Sequence, residues 1–119
     1  MKTRRGDVVL VLFPNSDLRT AKRRPALVLQ RDELGTGLKP NRYRDDFQQP
    51  GEANHPSRVG IPLASTAGKA SGLRLDSWLM TDNLVTVFDS EIDSLLGQMP
   101  DVPEMVAVAV ALKHTLALP

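Results

Sequence analysis

Gly6-Asp7-Val8-Val9-Leu10-Val11-Leu12-Phe13-Pro14, followed after a polar interval by Pro25-Ala26-Leu27-Val28-Leu29, is the stretch that decides the fold. Both apolar runs are short and the first is rich in β-branched residues, which predicts two buried strands. Pro14-Asn15-Ser16-Asp17 reads as a turn, because proline presets φ and the Asn, Ser and Asp side chains can bond the nearby backbone. Leu18 to Arg24 reads as a polar loop, and Pro25 suits the first residue of a strand. The result is a hairpin with an open, basic mouth.

Downstream, residues 31–57 carry Arg42, Arg44, Asp45, Asp46, Gln48, Gln49, Pro50, Gly51 and Pro56 without strand alternation or a helical stripe, and a loop is expected there. Arg58-Val59-Gly60-Ile61-Pro62-Leu63 reads as an edge strand, since Pro62 removes a ladder donor. Thr66 to Gly72 reads as a small-residue turn, and Leu73 to Leu84 as a strand region containing Trp78 and Met80. Ile92, Leu95 and Leu96 follow, closed by Gly97. Asp101-Val102-Pro103-Glu104 has the form of a helix start, with Asp101 as N-cap. The helix would run to about Leu116, with Met105, Val108, Leu112 and Leu116 on one face and Val106 and Val110 close by, so that most of it is covered. The pattern predicts a single domain over residues 1–119, α+β but mainly β: a compact barrel-like sheet with a C-terminal helix.

The 119 residues are 41% hydrophobic and 24% charged, the balance of a globular chain rather than a disordered one. No apolar run approaches the roughly 18 residues of a membrane span. The basic start, Met1-Lys2-Thr3-Arg4-Arg5, makes a poor signal peptide, so a cytoplasmic location is expected. There is no cysteine and only two histidines, His55 and His114, which argues against a disulfide framework, a cysteine nucleophile and a metal site. Charge is segregated. Lys2, Arg4, Arg5, Arg19, Lys22, Arg23 and Arg24 against Asp7 and Asp17 give the first 24 residues a net charge of +5. Asp89, Glu91, Asp93, Asp101 and Glu104 against Lys113 give the last 31 a net charge of −4. A concentrated basic segment suits a polyanionic partner such as RNA or an acidic protein tail.

Several segments resemble the MazF/PemK-type toxins. Gly6 to Val11 with Phe13-Pro14, Ser16-Asp17 and Lys22-Arg23-Arg24-Pro25-Ala26-Leu27-Val28-Leu29 resemble the opening of that family. Ser71 to Ser77, Met80 to Val87 and Leu96-Gly97-Gln98-Met99-Pro100 resemble its later strands. The resemblance implies a small SH3-like barrel with a C-terminal helix, working as a homodimer. It implies the toxin half of a type II toxin–antitoxin pair: a ribosome-independent endoribonuclease, inhibiting growth by cutting single-stranded mRNA at specific sequences without a cofactor or metal, and held by a cognate antitoxin. In that chemistry the RNA 2′-hydroxyl attacks its own phosphate, leaving a cyclic phosphate and a 5′-hydroxyl. This needs a proton acceptor, a proton donor and positive charge at the phosphorane oxygens, and the required 2′-hydroxyl selects RNA over DNA.

Residue by residue, the resemblance puts Arg24, directly before Pro25, at the family's catalytic arginine. A guanidinium suits that role because its planar fork pairs two phosphate oxygens. Asp82, in Thr81-Asp82-Asn83, matches an aspartate near the family's site, although Met80 stands where some members carry an arginine. Lys22 and Arg23 are expected to hold RNA or acidic antitoxin. Ser16 and Asp17 would border the RNA, with an Asx-turn the competing role of Asp17. Ser77 matches a family serine, with a structural hydrogen bond as its competing role. His114 reads as partly buried packing on the helix.

The arginine's hydroxyl partner has two candidate placements. In one, Ile61-Pro62-Leu63-Ala64-Ser65-Thr66 is the third strand, with Ala64 at the catalytic position and Ser65 as a displaced substitute. In the other, which needs no gaps, the third strand falls on Leu38 to Glu52 and Phe47 takes the hydroxyl position. The codons permitted for Asn41 to Pro50, read one base later, can encode Ile-Val-Ile-Gly-Met-Ile-Ser-Ser-Asn-Leu, an apolar strand ending in hydroxyl residues. Residues from about 38 to 53 are therefore either a frame-shifted strand, restored near Asn54, or a divergent insertion. Two functions remain open beside the active toxin: a degenerate, non-catalytic toxin that dimerises and binds antitoxin or RNA, and a gyrase-directed toxin of the same fold class. Arg24-Pro25 and the basic loop favour the RNA lineage over the latter.

Overall fold

The computed structural model describes residues 3–14, 21–30, 41–48, 55–99 and 104–119. Six strands, β1 (Asp7–Pro14), β2 (Ala21–Val28), β3 (Asn41–Gln48), β4 (Arg58–Ile61), β5 (Ser77–Phe88) and β6 (Ile92–Gln98), form one antiparallel sheet in the order β4-β5-β3-β2-β1-β6. Two helices complete the fold, α1 (Thr66–Ser71) and α2 (Glu104–Leu116).

The expected hairpin is present. Val8 pairs with Leu27, Val11 with Arg24 and Pro14 with Ala21. Its second strand starts earlier than expected: Ala21 to Arg24 are paired backbone, not loop, because the ladder with Phe13 and Pro14 satisfies their amide groups despite their polar side chains. Gly6, at φ +92°, turns the chain into β1; its N–H bonds the Val28 carbonyl and its own carbonyl accepts from Met99. Consecutive strand residues face opposite ways, and both faces of the hairpin are buried. Val8 and Leu27 join Leu29, Ile61, Leu79, Met99, Met105 and Val108 in a core that includes α2. Val9, Val11, Ala26 and Val28 join Val87 and Ile92 in a second cluster.

Further expectations are corrected. First, residues 41–48 form a strand inserted between β2 and β5, as the gap-free placement of the third strand has it, and not the loop read from their polar pattern. Tertiary context overrides the polar pattern, since both neighbours offer unpaired backbone groups to this strand. Second, residues 66–71 form a helix rather than a turn. Ser65 caps it and Gly72 ends it at φ +76°. A Cβ on Gly72 would lie 2.1 Å from the Leu96 carbonyl oxygen, so the glycine lets α1 lie directly on β6. Third, α2 is covered on one face only. Met105, Val108 and Ala111 are buried, whereas Val106, Val110 and Leu116 are exposed. His114 is exposed as well. The strand expected over Leu73–Leu84 lies further on, at Ser77–Phe88. The edge position of the Arg58 strand is as expected, and the N-cap assigned to Asp101 lies outside the described residues.

β5 is irregular where it meets β3. Asp45 pairs with Leu84 and Asp46 with Met80, so Thr81-Asp82-Asn83 form a bulge in the ladder. The bulge is tied down by Thr81, fully buried, whose backbone N–H and hydroxyl both donate to the Ser57 carbonyl and whose hydroxyl bonds Thr115 of α2 at 2.6 Å.

Candidate functional site

Arg24 opposes Val11 across the hairpin, and it lies on the face that Val9, Val11, Ala26 and Val28 bury. It is half-buried at the rim of that cluster. Pro25 follows and Ala26 is fully buried, so the backbone carrying Arg24 is anchored on its C-terminal side. Arg23 is one residue earlier and therefore on the opposite face. It opposes Leu12 and reaches Asp93 of β6 at 3.6 Å, with both side chains largely exposed. The two arginines thus serve different surfaces. Lys22 opposes Phe13 in the ladder. Ser16 and Asp17 lie outside the described residues.

Asp82 is carried out of the β5 ladder by the bulge. Arg58, the first residue of β4, donates Nε to one carboxylate oxygen and Nη2 to the other, each at 3.1 Å. That pair holds the Asp82 carboxyl below its ordinary pKa, against a smaller opposing effect of burial. A carboxylate so stabilised is a weak proton acceptor at neutral pH, so its direct contribution is to fix Arg58. Next to it, His55 Nδ1 accepts from the backbone N–H of Ser57 at 3.1 Å and lies 2.7 Å from the Ser57 hydroxyl. The His55 ring meets His114 edge-on, with centroids 6.1 Å apart. No residue spacing announces the Arg58–Asp82 pair; only the β4–β5 ladder brings the two together.

The sheet separates these groups. β3 lies between the strand of Arg24 and that of Asp82, which puts them two strand spacings, roughly 10 Å, apart across the sheet. Ser65 is committed elsewhere: its hydroxyl donates to the Pro62 carbonyl at 2.6 Å and accepts from the Gly68 N–H at 3.0 Å as the cap of α1. Ser77 is buried with its hydroxyl on the Leu75 carbonyl at 2.9 Å. It shares a face with Leu79, opposite to the face of Arg24. Among the described residues no group of three His, Asp or Glu side chains is placed to hold a metal ion.

No family model and no curated protein matches this chain. Solved structures do. A mycobacterial endoribonuclease in complex with its cognate antitoxin superposes with a TM-score of 0.74 at 17% identity, over 99% of this chain and 98% of that one. The Mycobacterium tuberculosis toxin MazF-mt6 gives 0.73 at 18%, over 95% and 98%. The MazF of a Deinococcus radiodurans MazE–MazF crystal gives 0.70 at 19%, over 98% of each chain. The chain therefore has the MazF fold, a small mainly-β domain with a C-terminal helix.

Proposed function

We propose that this chain is the toxin of a type II toxin–antitoxin pair, derived from metal-independent endoribonucleases that cleave mRNA by attack of the 2′-hydroxyl. The observation that carries this reading is the half-buried Arg24, anchored ahead of Pro25 and Ala26 on a fold shared with an endoribonuclease bound to its cognate antitoxin. Arg24 supplies charge to the phosphorane oxygens. Lys22 and Arg23, with Ser16 and Asp17, contact RNA or an acidic antitoxin segment. Asp82 acts through Arg58, which it holds for the RNA backbone. Ser65 and Ser77 would have to give up present hydrogen bonds to touch substrate, so they contribute structure first. The protein works as a homodimer in the cytoplasm; among the described residues no helix is long and apolar enough to cross a membrane.

A specific observation favours reduced activity. β3 carries Arg42, Arg44, Asp45 and Asp46 in the middle of the sheet, where each opposes at least one buried apolar residue of β2 or β5. The second reading, a degenerate toxin that still dimerises and binds antitoxin, rests on that strand. Incubating the purified protein with a long RNA in EDTA separates the two: the active toxin leaves 2′,3′-cyclic phosphate and 5′-hydroxyl ends, the degenerate one leaves the RNA intact.

A further inference from the structure

A strand with neighbours on both sides and core on both faces reads as a nearly continuous apolar run. β2 does so in Ala26-Leu27-Val28-Leu29, all buried. β3, its neighbour, does not. The register sets Arg44 opposite Val28 on one side and Val85 on the other, Arg42 opposite Val87, Asp46 opposite Ala26 and Met80, and Asp45 opposite Leu27 and Leu84. Ala26, Val28 and Val87 belong to one core cluster with Val85 packed on it; Leu27 belongs to the other, with Leu84 packed on it. Every charged residue of this strand thus opposes at least one apolar core residue. Four charged residues at register positions between apolar neighbours break the pattern of a central strand.

We infer that codons 41 to 50 are read one base out of frame, and that the strand this sheet was shaped around is Ile-Val-Ile-Gly-Met-Ile-Ser-Ser-Asn-Leu. The displaced reading changes the register position by position. It puts Val in place of Arg42 against Val87 and Met in place of Asp45 between Leu27 and Leu84. It puts Ile in place of Asp46 between Ala26 and Met80, and Gly in place of Arg44 between Val28 and Val85. Both faces become apolar, as the buried faces of β2 require. At the other end of the strand it replaces Phe47 and Gln48 by serine. Continuing the β2–β3 register two residues beyond its last pair, Ala26 with Asp46, brings position 47 to Pro25 and position 48 to Arg24. The restored strand therefore brings one hydroxyl, at position 48, opposite Arg24 on its own face, which Ser65 and Ser77 do not, while the serine at position 47 belongs to the other face. This last consequence rests on the proposed RNA cleavage; the strand itself does not.

The coding DNA gives the first test. Read one base later across these codons, it should encode apolar residues at positions 42 to 46 and serine at 47 and 48; a polar string overturns the inference. The second test is the full chain carrying Asn41→Ile, Arg42→Val, Tyr43→Ile, Arg44→Gly, Asp45→Met, Asp46→Ile, Phe47→Ser, Gln48→Ser, Gln49→Asn and Pro50→Leu. Its thermal midpoint should rise by roughly 10 °C or more, the shift expected when several kcal/mol are recovered in a domain of this size. An unchanged or lower midpoint overturns the inference. Should the tenfold variant aggregate, the pair Arg42→Val and Asp46→Ile decides, since it alters only positions facing Val87, Ala26 and Met80 and must raise the midpoint alone. RNA cleavage is read separately. A higher midpoint without cleavage upholds the strand and refutes the endoribonuclease reading. A higher midpoint with cleavage that disappears when alanine replaces both new serines upholds both.

Discussion

Arg58 and Asp82 form a two-pronged ion pair, Nε and Nη2 each 3.1 Å from a different carboxylate oxygen, across the β4–β5 ladder at the place where β5 bulges. The pair does two things at once: it closes the bulge against the edge strand and it fixes a guanidinium at the surface.

Its pH dependence has a defined sign. Asp82 is more acidic in the fold than its ordinary value, so its contribution is present above about pH 4 and is lost as pH falls through the lowered value. The Asp82 side chain is 42% exposed, which limits the contribution to about 1 kcal/mol or less. Asp82→Asn should lower the thermal midpoint slightly at pH 7 and flatten its decline below pH 4; an unchanged acid slope would show the pair to be inert.

Ser65 is a helix cap, and Ser65→Ala should cost about 1 kcal/mol of unfolding free energy. Ser65→Asp, which can still accept from the Gly68 N–H, should recover most of it. RNA binding should be the same in all three proteins; a loss of binding with no loss of stability would return Ser65 to the site.

Gly72→Ala should destabilise by about 2 kcal/mol or more, because it places a side chain in the left-handed region and its Cβ against the Leu96 carbonyl. Denaturant unfolding measures this directly, and a cost below about 0.5 kcal/mol would mean that α1 moves off β6 freely.

The hydroxyls of Thr81 and Thr115 bond each other inside the joint between β5 and α2. Thr81→Val should cost about 1–3 kcal/mol, as the Ser57 carbonyl and the half-buried Thr115 hydroxyl both lose a partner. A double-mutant cycle with Thr115→Val should show coupling; additive costs would mean that the two hydroxyls act independently.

Leu95, Val106 and Val110 are each more than half exposed, apolar surface that pairing of two chains can cover. Light scattering at tens of micromolar should give the mass of a dimer, and a monomer mass would contradict the homodimer.

The hairpin was legible because Val8 to Phe13 and Ala26 to Leu29 are apolar on both faces, and α2 because Met105 and Val108 recur at helical spacing. Those local signals coincide with what the tertiary structure buries. β3 is not legible from its local pattern, because Arg42, Arg44, Asp45 and Asp46 break strand alternation; the gap-free placement of a third strand on Leu38 to Glu52 does reach it. The helix at Thr66–Ser71 hid behind small residues, although Ser65 and Gly72 were there to be read as its caps. Arg24 is a candidate through the resemblance carried by Pro25 and the preceding strand. Arg58 as the partner of Asp82 was not legible, because the ladder alone joins positions so far apart in sequence. Ser65 and Ser77 enter the candidate site through the resemblance, and what the sequence does not show is that their hydroxyls already bond the Pro62 and Leu75 carbonyls.

The central claim is that Arg24 belongs to a metal-independent RNA-cleaving site which the present β3 leaves incomplete. The measurement is cleavage of a long RNA in EDTA by the present chain, by the chain with the restored strand, and by the restored chain carrying Arg24→Ala. The account predicts weak or no cleavage by the first, clear cleavage with cyclic phosphate ends by the second, and a loss of roughly 10²–10³ in rate in the third. Full-rate cleavage by the present chain that Arg24→Ala leaves unchanged, or cleavage that EDTA abolishes and magnesium restores, would contradict it.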